Sequence, residues 1–105
     1  MLQSNREAFL TRILTPEERS VFDAREEIGT AETYLAAQWA GKEAVYKALG
    51  GNSVCVWNDI SIPRCPDSGK PSVSLPPHID VDVSSVLISL SHESDYAVAT
   101  AIALL

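Results

Sequence analysis

The hydrophobic period of this chain changes once, at Gly50-Gly51, and that change limits what it can fold into. Before the glycine pair, apolar residues recur every three or four positions. After it, they alternate. Helices followed by alternating strands predict an α+β fold, a helical first half packed on a small antiparallel sheet. A chain of 105 residues holds one such domain, residues 1–105, around a single core.

Three helices are predicted. Phe9, Leu10, Ile13 and Leu14 share one helical face, which suits a short amphipathic helix over 5–14. Thr15-Pro16-Glu17-Glu18 is a helix start, with Thr15 as N-cap, Pro16 at the first helical position and Glu18 closing a capping box. That helix ends between Arg25 and Ile28, ahead of Gly29. The third runs from Thr33 to the Gly50-Gly51 pair, whose missing Cβ atoms suit a helix C-cap.

The second half is read as strands. Val54, Val56, Ile60 and Ile62 fall on alternate positions and predict a strand ending at Pro63. Pro66-Asp67-Ser68-Gly69 has turn chemistry and leads into a short strand over 72–75, which Pro76-Pro77 breaks. Val86, Ile88 and Leu90 alternate with Leu87, Ser89 and Ser91 in another strand. The run His92-Glu93-Ser94-Asp95 turns the chain into a last one, where Tyr96, Val98, Thr100 and Ile102 alternate with four alanines. The alanines also permit a helix there. The β-branched residues of the other parity favour the strand.

Composition narrows the function classes. The chain is 46% apolar and 21% charged, with net charge −6. Six basic residues stand against eight acidic ones over 1–50, and two against six over 51–105. That balance argues against a nucleic-acid footprint, though not against a small anion pocket. No apolar run approaches the roughly 18 residues of a membrane helix, and MLQSNREAFL lacks the pattern of a signal peptide. Neither a membrane nor a nucleic acid is an expected partner. Cys55 and Cys65 are too few for a zinc knuckle and read as reduced thiols of a cytoplasmic protein, unless a hairpin brings them together.

Three groups of residues can carry chemistry. Trp39, Glu43 and Lys47 are spaced by four and share a helical face, with Lys42 one step round. Glu43 and Lys47 can form a plain surface ion pair, or place a carboxylate on a divalent cation beside a phosphate held by the ammonium. Spacing alone does not choose. Ser91 and His92 end a strand before a turn, which is either an ordinary turn position or a ligand-binding edge. Asp67-Ser68-Gly69-Lys70-Pro71 is sufficiently explained as a hairpin turn. His78, after Pro76-Pro77, has no comparable company.

Taken in order, FLTRILTPE (9–17), WAGKEAVYKALG (39–50), Asp59 to Ile62 with Gly69-Lys70-Pro71, and ISLSHESDYAVATAIA (88–103) resemble the 4′-phosphopantetheinyl transferases of the holo-acyl-carrier-protein synthase type. The resemblance covers nearly the whole chain. WAGKEAVYKALG together with SLSH is its most specific part. It implies the fold of that family and a transferase that moves the phosphopantetheine arm of coenzyme A to a serine of an acyl carrier protein, releasing 3′,5′-ADP. It also implies a homotrimer with sites between subunits.

Carried over by position, the resemblance makes Glu43 a Mg2+ ligand and puts Lys47 on the coenzyme A phosphates. Lys42 matches the lysine before the metal glutamate and is placed with the residues that bind coenzyme A. Ser91 and His92 would reach the nucleotide phosphates of a neighbouring subunit, and Gly69 and Pro71 would line the adenine pocket. Arg6 and Arg12 are the candidates for contact with the acidic carrier protein. This chain departs from the pattern twice. The family opens with a strand carrying Gly-x-Asp, whose aspartate is a second metal ligand, whereas Met1-Leu2-Gln3 leads straight into a helix. An N-terminal truncation is therefore expected, and a binding or structural relative without the chemistry is the competing reading. Gln38 stands where the family usually carries arginine or lysine on a coenzyme A phosphate.

Overall fold

The computed structural model describes residues 2–50, 55–82, 86–92 and 96–104. Three helices come first, α1 (Leu2–Ile13), α2 (Pro16–Glu26) and α3 (Ala31–Ala48). A 3-10 turn (Trp57–Asp59) follows, then an antiparallel pair, β1 (Val86–His92) and β2 (Ala97–Ala103). α3 lies against both strands, α2 packs on α3 and α1 meets the 3-10 turn, giving the expected α+β arrangement.

The α1–α2 junction forms as its local chemistry dictates. The Thr15 hydroxyl accepts from the Glu18 amide at 3.3 Å, and Glu18 Oε1 accepts from the Thr15 amide at 2.9 Å. Two of the amide donors that a helix start leaves unpaired are thereby satisfied. α3 starts two residues earlier than its pattern suggested and is capped at its far end by Gly50, at φ 100°. Gly51 lies outside the described residues.

The strand expected over 54–62 does not form. The Asp59 carboxylate accepts from the Val56 amide at 2.9 Å and closes the 3-10 turn in its place. The alternation there came from two buried residues, Ile60 and Ile62, that follow the turn. The segment still meets 71–74, through antiparallel bridges Ser61↔Ser74 and Arg64↔Pro71 rather than a ladder. Gly69, at φ 72°, turns the hairpin between them in the left-handed region that favours glycine. Val54 and the turn residues 93–95 lie outside the described residues.

β1 and β2 form over the expected residues, in a register that pairs Leu87 with Ile102, Ser89 with Thr100 and Ser91 with Val98. Val86, Ile88 and Leu90 turn inward on β1, and the alanines do so on β2. α3 comes close to β1 and to the 60–62 segment at Gly41. A Cβ on Gly41 would lie 2.7 Å from the Ile62 side chain and 3.0 Å from that of Leu90. Two apolar clusters result. One joins Val45, Leu49, Cys55, Ile60, Ile62, Val73 and Val86; the other joins Leu10, Ile13, Leu14, Phe22 and Ala31.

Candidate active site

Glu43 and Lys47 project from one face of α3 into a groove of about 500 Å³, walled by Trp39 and Ala44 on the helix and by Ala97 and Val98 on β2. Lys47 Nζ lies 3.0 Å from Glu43 Oε1, and Lys47 is largely exposed. Glu43 is half-buried, and no hydrogen bond among the described residues uses its second carboxylate oxygen. Next to the pair runs a ladder of rings. Phe9 meets Trp39 at 5.6 Å, Trp39 stacks on Trp57 at 5.3 Å, and Trp57 stacks on Tyr46 at 4.4 Å. These rings stiffen the wall behind the carboxylate.

No group of three or more His, Cys, Asp or Glu side chains converges on a metal position among the described residues. A cation at Glu43 would rest on one carboxylate and take its remaining ligands from water and substrate oxygens. That donor set fits Mg2+, which usually keeps several waters and uses only one or two carboxylates beside substrate phosphates.

Lys42 goes elsewhere. Its side chain is fully buried, and its ammonium donates to the Ile13 carbonyl and to Glu18 Oε1, each at 2.5 Å. Glu18 Oε2 accepts from the Ile62 amide at 3.1 Å. Burial pulls the Lys42 pKa down, and the Glu18 carboxylate opposes that pull. An ammonium enclosed in this way has no face open to a nucleotide, so Lys42 is structural here rather than the coenzyme A-binding residue expected. The network ties the end of α1, the start of α2, the middle of α3 and the 60–62 segment together. Sequence reading identified the capping role of Glu18 and missed its second partner, because Lys42 lies 24 residues away.

His92 lines a different cavity, of about 360 Å³, together with Arg25, Thr30, Thr33, Tyr34, Ala37 and Arg64. A second cavity of about 350 Å³ adjoins it and shares Arg25, Tyr34 and Arg64. Tyr34 is half-buried; burial and the Glu18 charge push its pKa up to about 12, against the pull of Arg25 and Arg64. It remains a neutral phenol and a hydrogen-bond donor. Ser91 is exposed beside His92 on the strand. Within one chain, then, the Glu43–Lys47 pair and His92 open onto separate spaces.

Gly69 and Pro71 sit on the hairpin as expected, and Pro71 lines a third cavity with Arg64, Cys65 and Lys70. Arg64 Nη1 donates to the Gly69 carbonyl at 3.0 Å and so stands between this space and that of His92. Cys55 is buried and Cys65 exposed, both as free thiols. Of the arginines on α1, Arg6 pairs with Glu26 at 2.8 Å, whereas Arg12 is exposed and joins none of the ion pairs among the described residues. Arg25 and Arg64 carried no signal in the sequence, since neither lies in a periodic or motif position.

The chain is similar to known proteins. Residues 1–101 match the model of the 4′-phosphopantetheinyl transferase superfamily. The holo-[acyl-carrier-protein] synthase of Desulforudis audaxviator is 46% identical over 100 residues, covering 90% of this chain and 73% of that protein. That of Chlamydia felis is 47% identical over 74 residues, covering 67% of this chain and 59% of its own length. The crystal structure of the Thermotoga maritima holo-[acyl-carrier-protein] synthase aligns with TM-score 0.70 and 30% identity, covering 90% of this chain and 53% of that one. A Plasmodium yoelii acyl carrier protein synthase with ADP bound aligns with TM-score 0.73 and 26% identity, over 95% of this chain and 81% of its own.

The chain belongs to the 4′-phosphopantetheinyl transferase superfamily. Within it, the enzyme class is that of the holo-[acyl-carrier-protein] synthases, and the chemistry of that class is phosphopantetheine transfer.

Proposed function

We propose that this chain transfers the 4′-phosphopantetheine arm of coenzyme A to a serine of an apo acyl carrier protein, with Mg2+ as cofactor and 3′,5′-ADP as the second product. The observation that carries this reading is the Glu43–Lys47 pair, an accessible carboxylate and ammonium 3.0 Å apart on the wall of an open groove. The serine oxygen attacks the phosphorus next to the pantetheine, and the bond from that phosphorus to the bridging oxygen breaks. Lys47 neutralises charge building on the diphosphate and on the leaving group. A water hydrogen-bonded to the free oxygen of Glu43 takes the serine proton as it passes one of its own to that carboxylate. Glu43 would hold Mg2+, which would add to the charge neutralisation of the diphosphate.

The reading includes a homotrimer with sites between subunits. Two observations support it. His92 and the Glu43–Lys47 groove face different spaces in one chain, so Ser91 and His92 would serve a neighbour's nucleotide. The outer face of the sheet also carries Leu87, Val98 and Ile102, each at least half exposed, an apolar strip suited to burial against further copies. Arg12 is the charge available for an acidic carrier protein, and Gly69 and Pro71 line the adenine side of the site. The described residues contain no helix long and apolar enough to cross a membrane, and the free thiols fit the cytoplasm.

Mass spectrometry of an apo acyl carrier protein incubated with the chain, coenzyme A and Mg2+ tests the proposal. A mass gain of one phosphopantetheine arm is expected. The absence of any gain, in this chain and in an N-terminally extended form, would move the reading to a binding or structural relative.

A further inference from the structure

Among the described residues, the Glu43 carboxylate hydrogen-bonds only to Lys47, and Lys47 is itself largely exposed. Where the two groups point is therefore decided by the backbone of α3. A helix turns about 100° per residue, so whatever fixes the direction of one residue fixes that of its neighbours. Packing against the sheet does this poorly. At Gly41, α3 meets the Ile62, Ile88 and Leu90 side chains with no side chain of its own. That contact sets how near the helix comes, and not how far it is turned. Apolar contact has no preferred direction, whereas a hydrogen bond does.

Lys42, the residue before Glu43, supplies the directional contact. Its side chain is fully buried, and its ammonium donates to the Ile13 carbonyl and to Glu18 Oε1, each at 2.5 Å. Ile13 is the last residue of α1, where helix carbonyls lack a partner within the helix. Glu18 is anchored in turn. Its Oε1 also accepts from the Thr15 amide at 2.9 Å, and its Oε2 accepts from the Ile62 amide at 3.1 Å. Donors from three stretches of chain thus hold one carboxylate. An ammonium set between two oxygens that are anchored independently leaves α3 a single rotational setting.

We propose that Lys42 and Glu18 are positioning residues of the transfer, their pair setting the rotation of α3 at which Glu43 and Lys47 both face the groove. This rests on the transferase reading above and deepens it. A misplacement of about 1 Å in a reacting constellation can cost ~100-fold in rate. A small turn of α3 would move both groups, with unequal consequences. Lys47 is long and largely exposed and can re-aim its ammonium; the shorter, half-buried Glu43 cannot. Loss of the pair is therefore read in the response to Mg2+ rather than in metal-free nucleotide binding.

The test measures calorimetric binding of coenzyme A to the whole chain with and without Mg2+, and the Mg2+ concentration that gives half-maximal transfer to an apo acyl carrier protein. The variants are Lys42→Met, the double variant Glu18→Gln with Lys42→Met, and Phe22→Leu, which loosens the same α1–α2 junction and leaves the pair alone. The double variant strands no buried charge and gives the reading wherever Lys42→Met alone does not fold. In both pair variants the affinity gained on adding Mg2+ should shrink about tenfold, and half-maximal transfer should need about tenfold more Mg2+. Metal-free affinity should stay within about threefold. Phe22→Leu should match the unsubstituted chain in both Mg2+ readings, since unfolded molecules lower an amplitude and not a midpoint. An unsubstituted chain that gains nothing from Mg2+, an unchanged response in the double variant, or the same shift in Phe22→Leu overturns the positioning role. A chain that transfers the arm yet gives one of those results keeps its proposed function. A chain without transfer, whose Mg2+-dependent affinity falls in the pair variants alone, keeps the positioning role and loses the proposed function.

Discussion

Lys42 Nζ sits 2.5 Å from Glu18 Oε1, with no solvent access to the lysine, and this pair joins the two apolar clusters. On one side Lys42 holds the carbonyl of Ile13; on the other Glu18 holds the amide of Ile62. A buried charge is tolerable only when paired and hydrogen-bonded. Here both conditions are met by groups from four separate stretches of chain. The pair therefore fixes how α3 is rotated about its axis, and that rotation sends Glu43, the next residue, outward.

Lys42→Met leaves the Glu18 carboxylate buried with backbone donors alone. It should lower unfolding free energy by about 3–5 kcal/mol in a urea titration. Glu18→Gln with Lys42→Met should cost less than the two single changes added together, because no charge is then stranded. Strict additivity would mean that the two groups do not act as a unit.

Thr15→Ala removes one half of the capping box at the start of α2. The expected loss is about 1 kcal/mol, measured as a shift of the denaturation midpoint at constant slope. A loss of a few tenths would place the stability of this junction in Glu18 alone.

Cys65 gives a pH signature. The Ser68 hydroxyl, then the Ser68 and Asp67 amides, stabilise its thiolate and lower its pKa from 9.0 to about 7. Between those values the folded chain binds fewer protons than the unfolded one. This group therefore adds stability as pH rises from 7 to 9 and loses it again as pH falls through 7. Iodoacetamide alkylation should show a midpoint near pH 7, moving upward in Ser68→Ala; a midpoint that ignores the substitution would assign the shift to another cause.

The reactive pair and the proposed shared site are tested together. Glu43→Gln should abolish transfer, and Lys47→Ala should weaken coenzyme A binding about tenfold or more, as expected for a lost charge-assisted contact. Mixed trimers of Glu43→Gln with His92→Ala subunits should regain part of the activity, since one kind of site would then be intact. Verified mixed trimers without recovery would count against sites shared between subunits.

Leu87 and Ile102 face each other across the strands on the exposed side of the sheet. Replacing Ile102 with lysine should dissociate the proposed trimer in equilibrium sedimentation while leaving the monomer folded. An unchanged assembly would place the contact on another surface.

What the sequence determined by itself is what residues a few positions apart decide. The Thr15–Glu18 box, the stop at Gly50, the turn at Gly69 and the alternation of β1 and β2 all arise within a turn or a strand, where sterics and local hydrogen bonds are enough. The same reasoning put Trp39, Glu43 and Lys47 on one face of α3, and the motif reading gave the family. The strand over 54–62 failed for a local reason with a tertiary consequence. Asp59 closed a turn, and Ile60 and Ile62 owe their alternation to burial under α3. Three matters were left to the tertiary structure. Lys42 turned inward because a carboxylate 24 residues away and a carbonyl 29 residues away were waiting for it. Ile62, Ile88 and Leu90 came up against α3 because Gly41 leaves room for their side chains there. Arg25, Arg64 and His92 met at one cavity because α2, the hairpin and β1 converge there. Such meetings depend on packing between distant elements, and no local pattern in the chain records them.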